Sequence, residues 1–502
     1  MNRNSNGKKK IGIPEIVLLG TMGLLLLAIV FAIVYVTVIR KGIAKNNSGT
    51  DHVSEVTQGD EDETSPDGDA EIDAEGYTDW VTYEEVGTNP FENRRRNDPP
   101  EETDSNEAGE GLYQETDETD TGSLDGTNAS DEESGDDMAG GADAEEDENA
   151  EADEDADPER DAIIDEIIED MSVREKVCQL FIVYPGTITG VTNTTQAGNM
   201  TKKALEEYPV AGFLYNKSNM ENKEQLSKML TGVQNFVDIP LILTCDEEGG
   251  RVERLMSKIG TTHIGPMYDY RNDGTEKAYN NAYIIASDMK SVGMNFDFAP
   301  VADVWSNPDN TVIGDRAYSD DFEQAAELVA SAVRGFHEGG VACTLKHFPG
   351  HGDTANDTHF DTAVVTKTLD ELRNQEFLPF KAGIDAGADA VMIGHMVVTD
   401  ITDEPAVFSK QIVTDILRNE LGFKGVVITD ALEMGAIADN YTSAEAALKC
   451  IDAGVDIILC PADFESAVKE VEAAVIREDV DMDRIDESVR RILVLKYNMG
   501  LL

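Results

Sequence analysis

The chain has 502 residues and a formal net charge of −60 at pH 7, because 100 Asp and Glu residues outnumber 40 Lys and Arg residues. A surface this acidic argues against nucleic acid or anionic lipid headgroups as binding partners. The charge falls into three zones: residues 1–50 carry +6, residues 51–160 carry −38 and residues 161–502 carry −28. Each zone therefore predicts a different kind of structure.

The first zone predicts a membrane anchor. Residues 16–39 are 24 consecutive residues without a charged side chain, enough for a helix to cross a hydrocarbon core of roughly 30 Å. The stretch is longer than the apolar region of a cleavable signal peptide, and no A-x-A pattern follows it. Because basic residues precede it, we expect residues 1–15 to be a cytoplasmic basic tail. Residues 16–39 then form a retained single-pass anchor in the cell membrane, with the rest of the chain outside the cell.

The second zone, residues 42–158, predicts a disordered acidic linker. It is rich in Asp, Glu, Gly, Ser and Thr and poor in apolar residues. Such a segment cannot bury enough apolar surface to offset the conformational entropy lost on folding. The segment 76–100 interrupts the acidity with aromatic residues and three consecutive arginines, and the sequence does not indicate its role.

The third zone, residues 160–502, predicts a single catalytic domain with an α/β fold. Eight short apolar runs alternate with amphipathic helical patterns, and they cover residues 177–184, 210–216, 240–246, 295–303, 341–347, 388–395, 425–430 and 455–461. Apolar strands that alternate with helices indicate parallel strands buried on both faces. Eight of them favour a (β/α)8 TIM-type barrel. A doubly wound open sheet is the alternative, but no G-x-G-x-x-G or P-loop pattern follows the first strands.

Most of the apolar runs end on a polar residue. These terminal residues are Asn216, Asp246, Asp303, His347, His395 and Asp430. In a barrel of this type the carboxyl ends of the strands surround the active site. A single one of these residues could be an ordinary helix cap, but the whole set predicts a functional face.

The five cysteines do not predict disulfide bonds or a zinc site. Each lies within apolar sequence, at positions 178, 245, 343, 450 and 460, and no C-x-x-C pattern occurs. An odd number of scattered cysteines forms no disulfide framework. We expect them to be small buried hydrophobic side chains.

The segment KHFPGHGDTANDTH, residues 346–359, carries three of the seven histidines. It is compatible with a metal site, with an acid/base pair or with a polar turn. A histidine such as His359 has a pKa near working pH, and Asp357 could orient its imidazole as the acid does in a Ser-His-Asp triad. Asp430, at the end of an apolar strand, is a candidate carboxylate nucleophile. A helix N-cap is the alternative role for Asp430.

Several motifs together resemble a known family. MSVREKVCQLF (171–181), DEEGGRVER (246–254), FAPVADVWSNPDNTVIGDRAYS (298–319), KHFPGHGDTANDTH (346–359) and VVITDALEMGAI (426–437) are similar to the successive signatures of glycoside hydrolase family 3. They are most similar to its β-N-acetylhexosaminidase branch. The resemblance implies that Asp430 is the nucleophile and that His359, paired with Asp357, is the general acid/base.

The resemblance also implies a set of substrate-binding residues. Asp246 would accept hydrogen bonds from sugar hydroxyls, and the donors would be Arg254, Arg316, Lys346 and His347. We expect Arg251 to be structural and His351 and Asp353 to hold the loop; His263, His337 and His395 have no assigned role. Glu247 departs from the glutamine that is common in the family, which places an extra charge near the site.

The sequence therefore predicts a retaining exo-β-N-acetylglucosaminidase that acts on cell-wall-derived glycans such as muropeptides. We expect no cofactor and no metal. The alternatives are a β-glucosidase or β-xylosidase of the same family, a β-N-acetylglucosaminide phosphorylase, and a non-catalytic wall-binding protein. A metallohydrolase that uses His347, His351, His359 and Asp353 is a further alternative, although Pro349 and two glycines exclude a helical ligand arrangement there.

Overall fold

The computed structural model of the protein describes residues 157–354 and 363–502. The predicted basic tail, the predicted anchor at 16–39 and nearly all of the predicted linker lie outside these residues. Within them, no helix is both long enough and apolar enough to span a membrane. The first described helix begins at Pro158, where Asp157 accepts a hydrogen bond from the Arg160 backbone N–H. This helix begins two residues before the predicted domain boundary at residue 160, where an N-cap and a proline at the first helical position provide a strong helix start.

Eight parallel strands form the central sheet, and a separate pair forms a small second sheet. The central strands are β1 (Phe181–Val183), β2 (Gly212–Leu214), β3 (Ile242–Cys245), β4 (Phe296–Asp297), β5 (Ala342–Phe348), β7 (Ala390–Ile393), β9 (Val426–Thr429) and β10 (Ile458–Leu459), and the pair is β6 (Val364–Val365) with β8 (Val397–Val398). The order in the central sheet is β10-β1-β2-β3-β4-β5-β7-β9.

The central sheet closes on itself between its two terminal strands. A parallel bridge joins Ile428 to Ile457, and the Thr429 backbone N–H donates to the Ile457 carbonyl at 3.0 Å. Beside this seam, the buried Asp456 accepts hydrogen bonds from the Val427 backbone N–H at 2.9 Å and from Ser488 Oγ at 2.7 Å. The predicted (β/α)8 barrel is confirmed, since the eight strands form a ring rather than an open sheet.

Helices surround the barrel. They are α1 (Pro158–Asp170), α2 (Val173–Cys178), α3 (Pro185–Thr189), α4 (Asn199–Glu207), α5 (Lys223–Gln234), α6 (Leu255–Ile259), α7 (Thr275–Val292), α8 (Phe322–Gly339), α9 (Leu369–Asn374), α10 (Phe377–Asp385), α11 (Gly435–Ala438), α12 (Ser443–Ala453), α13 (Phe464–Ile476) and α14 (Met482–Asn498), and Gln411–Glu420 is a helix with π-type hydrogen bonds. Their starts follow local sequence chemistry: Ser172 and Glu175 form a capping box at α2, and Thr368 and Glu371 form one at α9.

The core has two layers, one on each side of the strands. The outer layer packs the strands against the helices. The inner layer fills the barrel with side chains such as Ile182, Phe296, Met392 and Ile428. Ile492 and Leu495 of α14 belong to the inner layer, so this helix packs against the barrel interior. Burial on both faces explains why the strand sequences are continuous apolar runs.

Two expectations can be compared directly with the structure. The apolar run at 295–303 was expected to be one strand, but β4 ends at Asp297. Pro300 has no N–H with which to continue a ladder, and the chain contacts β5 again through a bridge between Val301 and Lys346. The prediction for the five cysteines is confirmed, because all are free and buried.

Candidate active site

A cavity of about 290 Å³ opens at the carboxyl ends of the barrel strands. Its polar lining consists of Tyr184, Asp246, Glu248, Arg254, Arg316, Lys346, His347, His351, Asp430 and Glu433. The strand order places β3, β4 and β5 on one side of the barrel and β9, β10 and β1 on the other. The cavity can therefore be described as two halves, which we call the β3–β5 half and the β9–β1 half.

A buried carboxylate organises the cations of the β3–β5 half. Glu248 binds the Arg316 guanidinium through two hydrogen bonds of 2.7 and 2.8 Å, and its Oε1 lies 2.7 Å from Lys346 Nζ. Burial disfavours the charged form of Glu248, but the two cations outweigh that effect and hold its pKa well below the usual range. Glu248 thus fixes the directions of two side chains that the sequence assigns to substrate binding.

A second carboxylate lies at the surface of the same half. Asp246 accepts a hydrogen bond from Lys346 Nζ at 3.0 Å and lies 3.4 Å from Arg254 Nη2. Its side chain is 26% exposed, whereas the Lys346 side chain is 3% exposed. Asp246 and Arg254 therefore offer hydrogen-bonding groups to a ligand in the cavity, whereas the buried ammonium group of Lys346 contributes positive charge behind them.

The two histidines of the KHFPGHG segment are held by one aspartate. Asp303 accepts hydrogen bonds from the backbone N–H groups of His347 and His351 at 3.0 and 2.6 Å, and its Oδ2 lies 2.7 Å from His347 Nδ1. Burial opposes ionisation of Asp303, but the His347 contacts outweigh it and lower its pKa. This contact directs the Nε2 atom of His347, rather than Nδ1, toward a ligand.

The segment around His351 packs tightly against the loop that follows β4. Asn310 donates to the His351 carbonyl at 2.8 Å and accepts from the Val312 and Ile313 backbone N–H groups. At Gly352, an added Cβ would lie 1.7 Å from the Val304 carbonyl oxygen. Only glycine fits there, so the segment is fixed close to the cavity.

Asp430 follows β9 and is the carboxylate of the β9–β1 half that lies nearest the strand end. It accepts a hydrogen bond from the Ala431 backbone N–H at 2.8 Å. Burial disfavours its charged form, but the nearby His347 and His395 imidazoles and this N–H outweigh the effect and lower its pKa. Asp430 is therefore ionised at neutral pH, as a nucleophile must be. His395 also contacts the Ala431 carbonyl at 3.0 Å, which fixes the turn after Asp430.

The structure gathers most of the predicted site residues in one cavity. Its lining includes the predicted nucleophile and the predicted substrate-binding residues Asp246, Arg254, Arg316, Lys346 and His347. The predicted acid/base pair, Asp357 and His359, lies in residues 355–362, outside the described residues. Sequence reasoning missed Glu248, Tyr184 and Glu433; the signal for Glu248 was its place in a run of three acids directly after a strand.

Glu247 was expected to add a charge near the site. It lies between Asp246 and Glu248, which line the cavity, but it does not itself line the cavity. Its carboxylate instead accepts hydrogen bonds from the backbone N–H groups of Arg254, Leu255 and Met256. These groups open helix α6, so Glu247 acts as a buried cap for the helix N-terminus.

The remaining assignments to structural roles agree with the contacts. Arg251 donates to the Val312 and Ile313 carbonyls. His351 Nδ1 lies 2.8 Å from Thr354 Oγ1, and Asp353 contacts Ser306 and Lys367. The previously unassigned His263 and His337 lie 3.0 Å from Glu253 and 2.8 Å from Asp389.

A set of metal-ligating atoms exists away from this cavity. Within the described residues, His337, Cys343 and Asp389 are the group whose donor atoms lie close enough together to hold an ion. They lie near the amino end of β5, opposite the cavity. Of the alternative metal set near the cavity, His347 Nδ1 contacts Asp303 and His351 Nδ1 contacts Thr354.

Comparison with known proteins identifies the family. The model of the glycosyl hydrolase family 3 N-terminal domain matches residues 172–495. The β-hexosaminidase of Stenotrophomonas maltophilia (strain K279a) is 39% identical over 262 residues, which is 51% of this chain and 77% of that protein. The chain belongs to glycoside hydrolase family 3. It is therefore a glycoside hydrolase, and the resemblance seen in the sequence motifs is confirmed.

This family 3 enzyme is similar to solved structures of β-N-acetylglucosaminidases and β-N-acetylhexosaminidases. A family 3 β-N-acetylglucosaminidase from Paenibacillus sp. str. FPU-7 superposes with a TM-score of 0.62 at 36% identity, over 66% of this chain and 63% of that chain. The β-N-acetylhexosaminidase from Beutenbergia cavernae superposes with a TM-score of 0.58 at 30% identity, over 65% of this chain and 99% of that chain. The barrel domain thus corresponds to nearly the whole of the second protein.

Proposed function

We propose that the protein is a retaining, exo-acting β-N-acetylglucosaminidase that releases N-acetylglucosamine from cell-wall-derived glycans. One observation carries the proposal: an ionised Asp430 shares a cavity of about 290 Å³ with a fixed cluster of Arg254, Arg316 and Lys346. A cavity of that size suits one terminal sugar ring rather than a polymer. The names of the related proteins supply the N-acetylhexosamine class.

In the proposed reaction, an Asp430 oxygen attacks the anomeric carbon, and the bond to the leaving sugar breaks. His359, oriented by Asp357, protonates the departing oxygen and then deprotonates the water that releases the sugar. Asp246, Arg254, Arg316, Lys346 and His347 hold the sugar hydroxyls, so that the anomeric carbon faces the nucleophile. Two displacements at the same carbon return the β configuration.

The test is a comparison of aryl β-N-acetylglucosaminide with aryl β-glucoside hydrolysis. We expect a strong preference for the acetamido sugar, a β-configured initial product by NMR and complete loss of turnover in Asp430→Ala. A preference for the glucoside would instead assign a β-glucosidase activity. An α-configured first product would exclude the covalent route. Rates measured with and without inorganic phosphate decide between a hydrolase and a phosphorylase, and rates after exhaustive chelation test the metal-dependent alternative.

We further propose that residues 16–39 anchor the enzyme in the cell membrane and that the catalytic domain lies outside the cell. The proposal is supported by the uncharged 24-residue stretch and its basic flanks. Protease added to intact cells should release an active fragment of the catalytic domain. Cleavage of the domain only after lysis would show the opposite orientation.

A further inference from the structure

Three metal-ligating side chains converge at the amino end of the barrel, opposite the cavity. His337 lies in the last turn of α8, Cys343 is the second residue of β5, and Asp389 directly precedes β7, the strand that pairs with β5. Their donor atoms all lie within 4.8 Å of one another. His337 Nε2 lies 2.8 Å from Asp389 Oδ2 and 4.0 Å from Cys343 Sγ. A helix end and two neighbouring strands thus bring three different ligand types to one point.

The spacing of these atoms is close to that of a tetrahedral metal site. Zinc is bound at about 2.3 Å by a thiolate sulfur and at about 2.0–2.1 Å by an imidazole nitrogen or a carboxylate oxygen. Around a tetrahedral ion, these bond lengths place nitrogen and oxygen about 3.3 Å apart and nitrogen and sulfur about 3.5 Å apart. Each observed distance therefore differs from the required one by about 0.5 Å. The His337 side chain is 36% exposed at the helix end, so a small rotation of its ring can supply this change.

The surroundings fix two of the ligands and leave a path to solvent. The Cys343 side chain belongs to the outer layer of the core, and the Cys343 backbone N–H donates to Asp389 Oδ2 at 2.9 Å. A hydrogen bond of this kind orients the carboxylates of metal sites. The Asp389 side chain is 17% exposed and that of His337 more so, so an ion can enter from the surface. The cavity is not involved, because His347 lies four residues after Cys343, roughly 13 Å along the strand.

We propose that His337, Cys343 and Asp389 bind a divalent transition-metal ion of the Zn²⁺ type, with water as the fourth ligand. Thiolate and imidazole select such an ion, whereas Mg²⁺ and Ca²⁺ prefer oxygen ligands. On binding, the Cys343 sulfur and His337 Nε2 bond to the ion, and the thiol proton and the proton between His337 Nε2 and Asp389 pass to water. The ion ties the end of α8 to the amino ends of β5 and β7. It therefore stabilises the barrel without taking part in the reaction in the cavity.

The experiment adds Co²⁺ to the full-length protein and records the thiolate-to-cobalt absorption band in the near ultraviolet. The acidic residues of the chain also attract cations, but a carboxylate gives no such band, and all five cysteines lie in the barrel domain. We expect the band to saturate at one ion per chain and to disappear when Zn²⁺ competes for the site. Cys343→Ala should abolish the band. His337→Gln should weaken Co²⁺ binding at least about 10-fold, because even residues that only orient metal ligands contribute about 10- to 100-fold to affinity.

The matched control is Cys450→Ala, which removes an equally buried thiol from helix α12. It should keep the wild-type band and affinity. As a second readout, Zn²⁺ should raise the thermal unfolding midpoint of wild type and of Cys450→Ala more than that of His337→Gln. Absence of the band, or an unchanged band in Cys343→Ala, would show adventitious binding to surface carboxylates only and would overturn the inference. If Cys343→Ala does not fold, an unchanged affinity in His337→Gln has the same consequence.

Discussion

At the scale of single residues, the proposed roles of Asp430 and His359 differ in how they depend on the leaving group. Asp430 forms the bond to the sugar whatever leaves, whereas His359 matters only as far as the leaving oxygen needs a proton. An activated aryl glycoside needs little protonation. The two side chains can therefore be separated by substrate choice alone.

We expect His359→Ala to lose about 10²- to 10⁴-fold in kcat/KM on a natural disaccharide, the usual size of general acid/base assistance. The loss in the glycosylation step should be much smaller with an aryl glycoside that carries a good leaving group. Asp357→Ala should show a milder version of the same pattern, because the imidazole remains but is poorly oriented. Single-turnover kinetics with the disaccharide and with the aryl glycoside measure the size of each loss. Equal losses on the two substrates would indicate a binding or structural role for His359.

Glu248 is the residue on which the cation cluster depends most. We expect Glu248→Gln to lower the free energy of unfolding by about 3–5 kcal/mol, because it leaves Arg316 and Lys346 buried with less compensation. The folded pKa of Glu248 is depressed. Its contribution is therefore present above the unfolded pKa of about 4.3 and is lost as the pH falls through the folded value. The difference in unfolding free energy between wild type and Glu248→Gln should therefore become smaller at acid pH.

Chemical denaturation at neutral and acid pH tests this, with Glu247→Gln as the control. Glu247 is also buried, but it accepts three backbone N–H bonds, and a glutamine oxygen can still accept from that helix end. The control should therefore lose less stability. A similar loss for both variants would show that Glu248 has no special role.

At the scale of secondary-structure elements, the packing of the KHFPGHG segment against the loop after β4 fixes half of the site. Gly352→Ala introduces a Cβ that overlaps the Val304 carbonyl oxygen, so one of the two backbone segments has to move. We expect a loss of stability of more than 1 kcal/mol and at least a 10-fold loss in kcat/KM, because His347 and His351 move with the segment.

Gly198→Ala is the matched control for this prediction. Gly198 is the N-cap of α4, and an added Cβ meets no atom within 4 Å. Gly198→Ala should lower the free energy of unfolding by at most about 1 kcal/mol and leave turnover unchanged. Thermal unfolding and steady-state kinetics on both variants give the comparison, and equal effects would exclude the steric explanation.

Helix α14 carries a lysine that is buried against the barrel. Lys496 is fully buried, and its amine donates to Gln179 at 2.8 Å. Burial lowers its pKa to about 7. The unfolded chain, with a lysine pKa of about 10.4, binds more protons between these values, so stability should rise with pH across this window, by up to about 1.4 kcal/mol per pH unit.

Lys496→Met should remove this rise while keeping the side-chain volume. Unfolding free energies measured from pH 6.5 to 10 should increase less steeply in the variant than in wild type. Parallel curves would show that Lys496 does not titrate in this range. The site is remote from the cavity lining, so the aryl glycoside assay checks that the variant is folded.

At the scale of the whole molecule, we expect the catalytic domain to work without the acidic region. A shortened protein that begins at Asp157 retains the cap of α1 and all the described elements. It should hydrolyse a soluble aryl glycoside with at least half of the full-length kcat/KM. Loss of most of the activity would show that residues 1–156 contribute to catalysis.

The fold and the position of the functional face could be predicted from local patterns, whereas the substrate-binding residues and the acid/base pair were predicted from the resemblance of the motifs to the family. Continuous apolar runs with polar ends indicate buried parallel strands that lead into a functional face. The directions of neighbouring acids could not be predicted in this way. Glu247 and Glu248 are adjacent and precede a turn at Gly249 and Gly250, both with positive φ. Glu247 nevertheless binds the amino end of helix α6, whereas Glu248 binds the two cations. The hydrogen bond between Tyr184 and Glu433, which both line the cavity, likewise joins residues that are distant in the sequence.

The closure of the barrel also determines when the cavity can form during synthesis of the chain. Strand β10 is the last of the described strands to be synthesised, and it has to insert between β9, which is made shortly before it, and β1, which is made long before it. Before β10 is made, the cluster around Glu248 already has all its members, but β9 and β1 have no strand between them. The ring, and with it the cavity that holds Asp430, is completed only when residues near Ile457 have left the ribosome. We therefore expect a growing chain in which β10 has not yet been made to lack glycoside hydrolase activity.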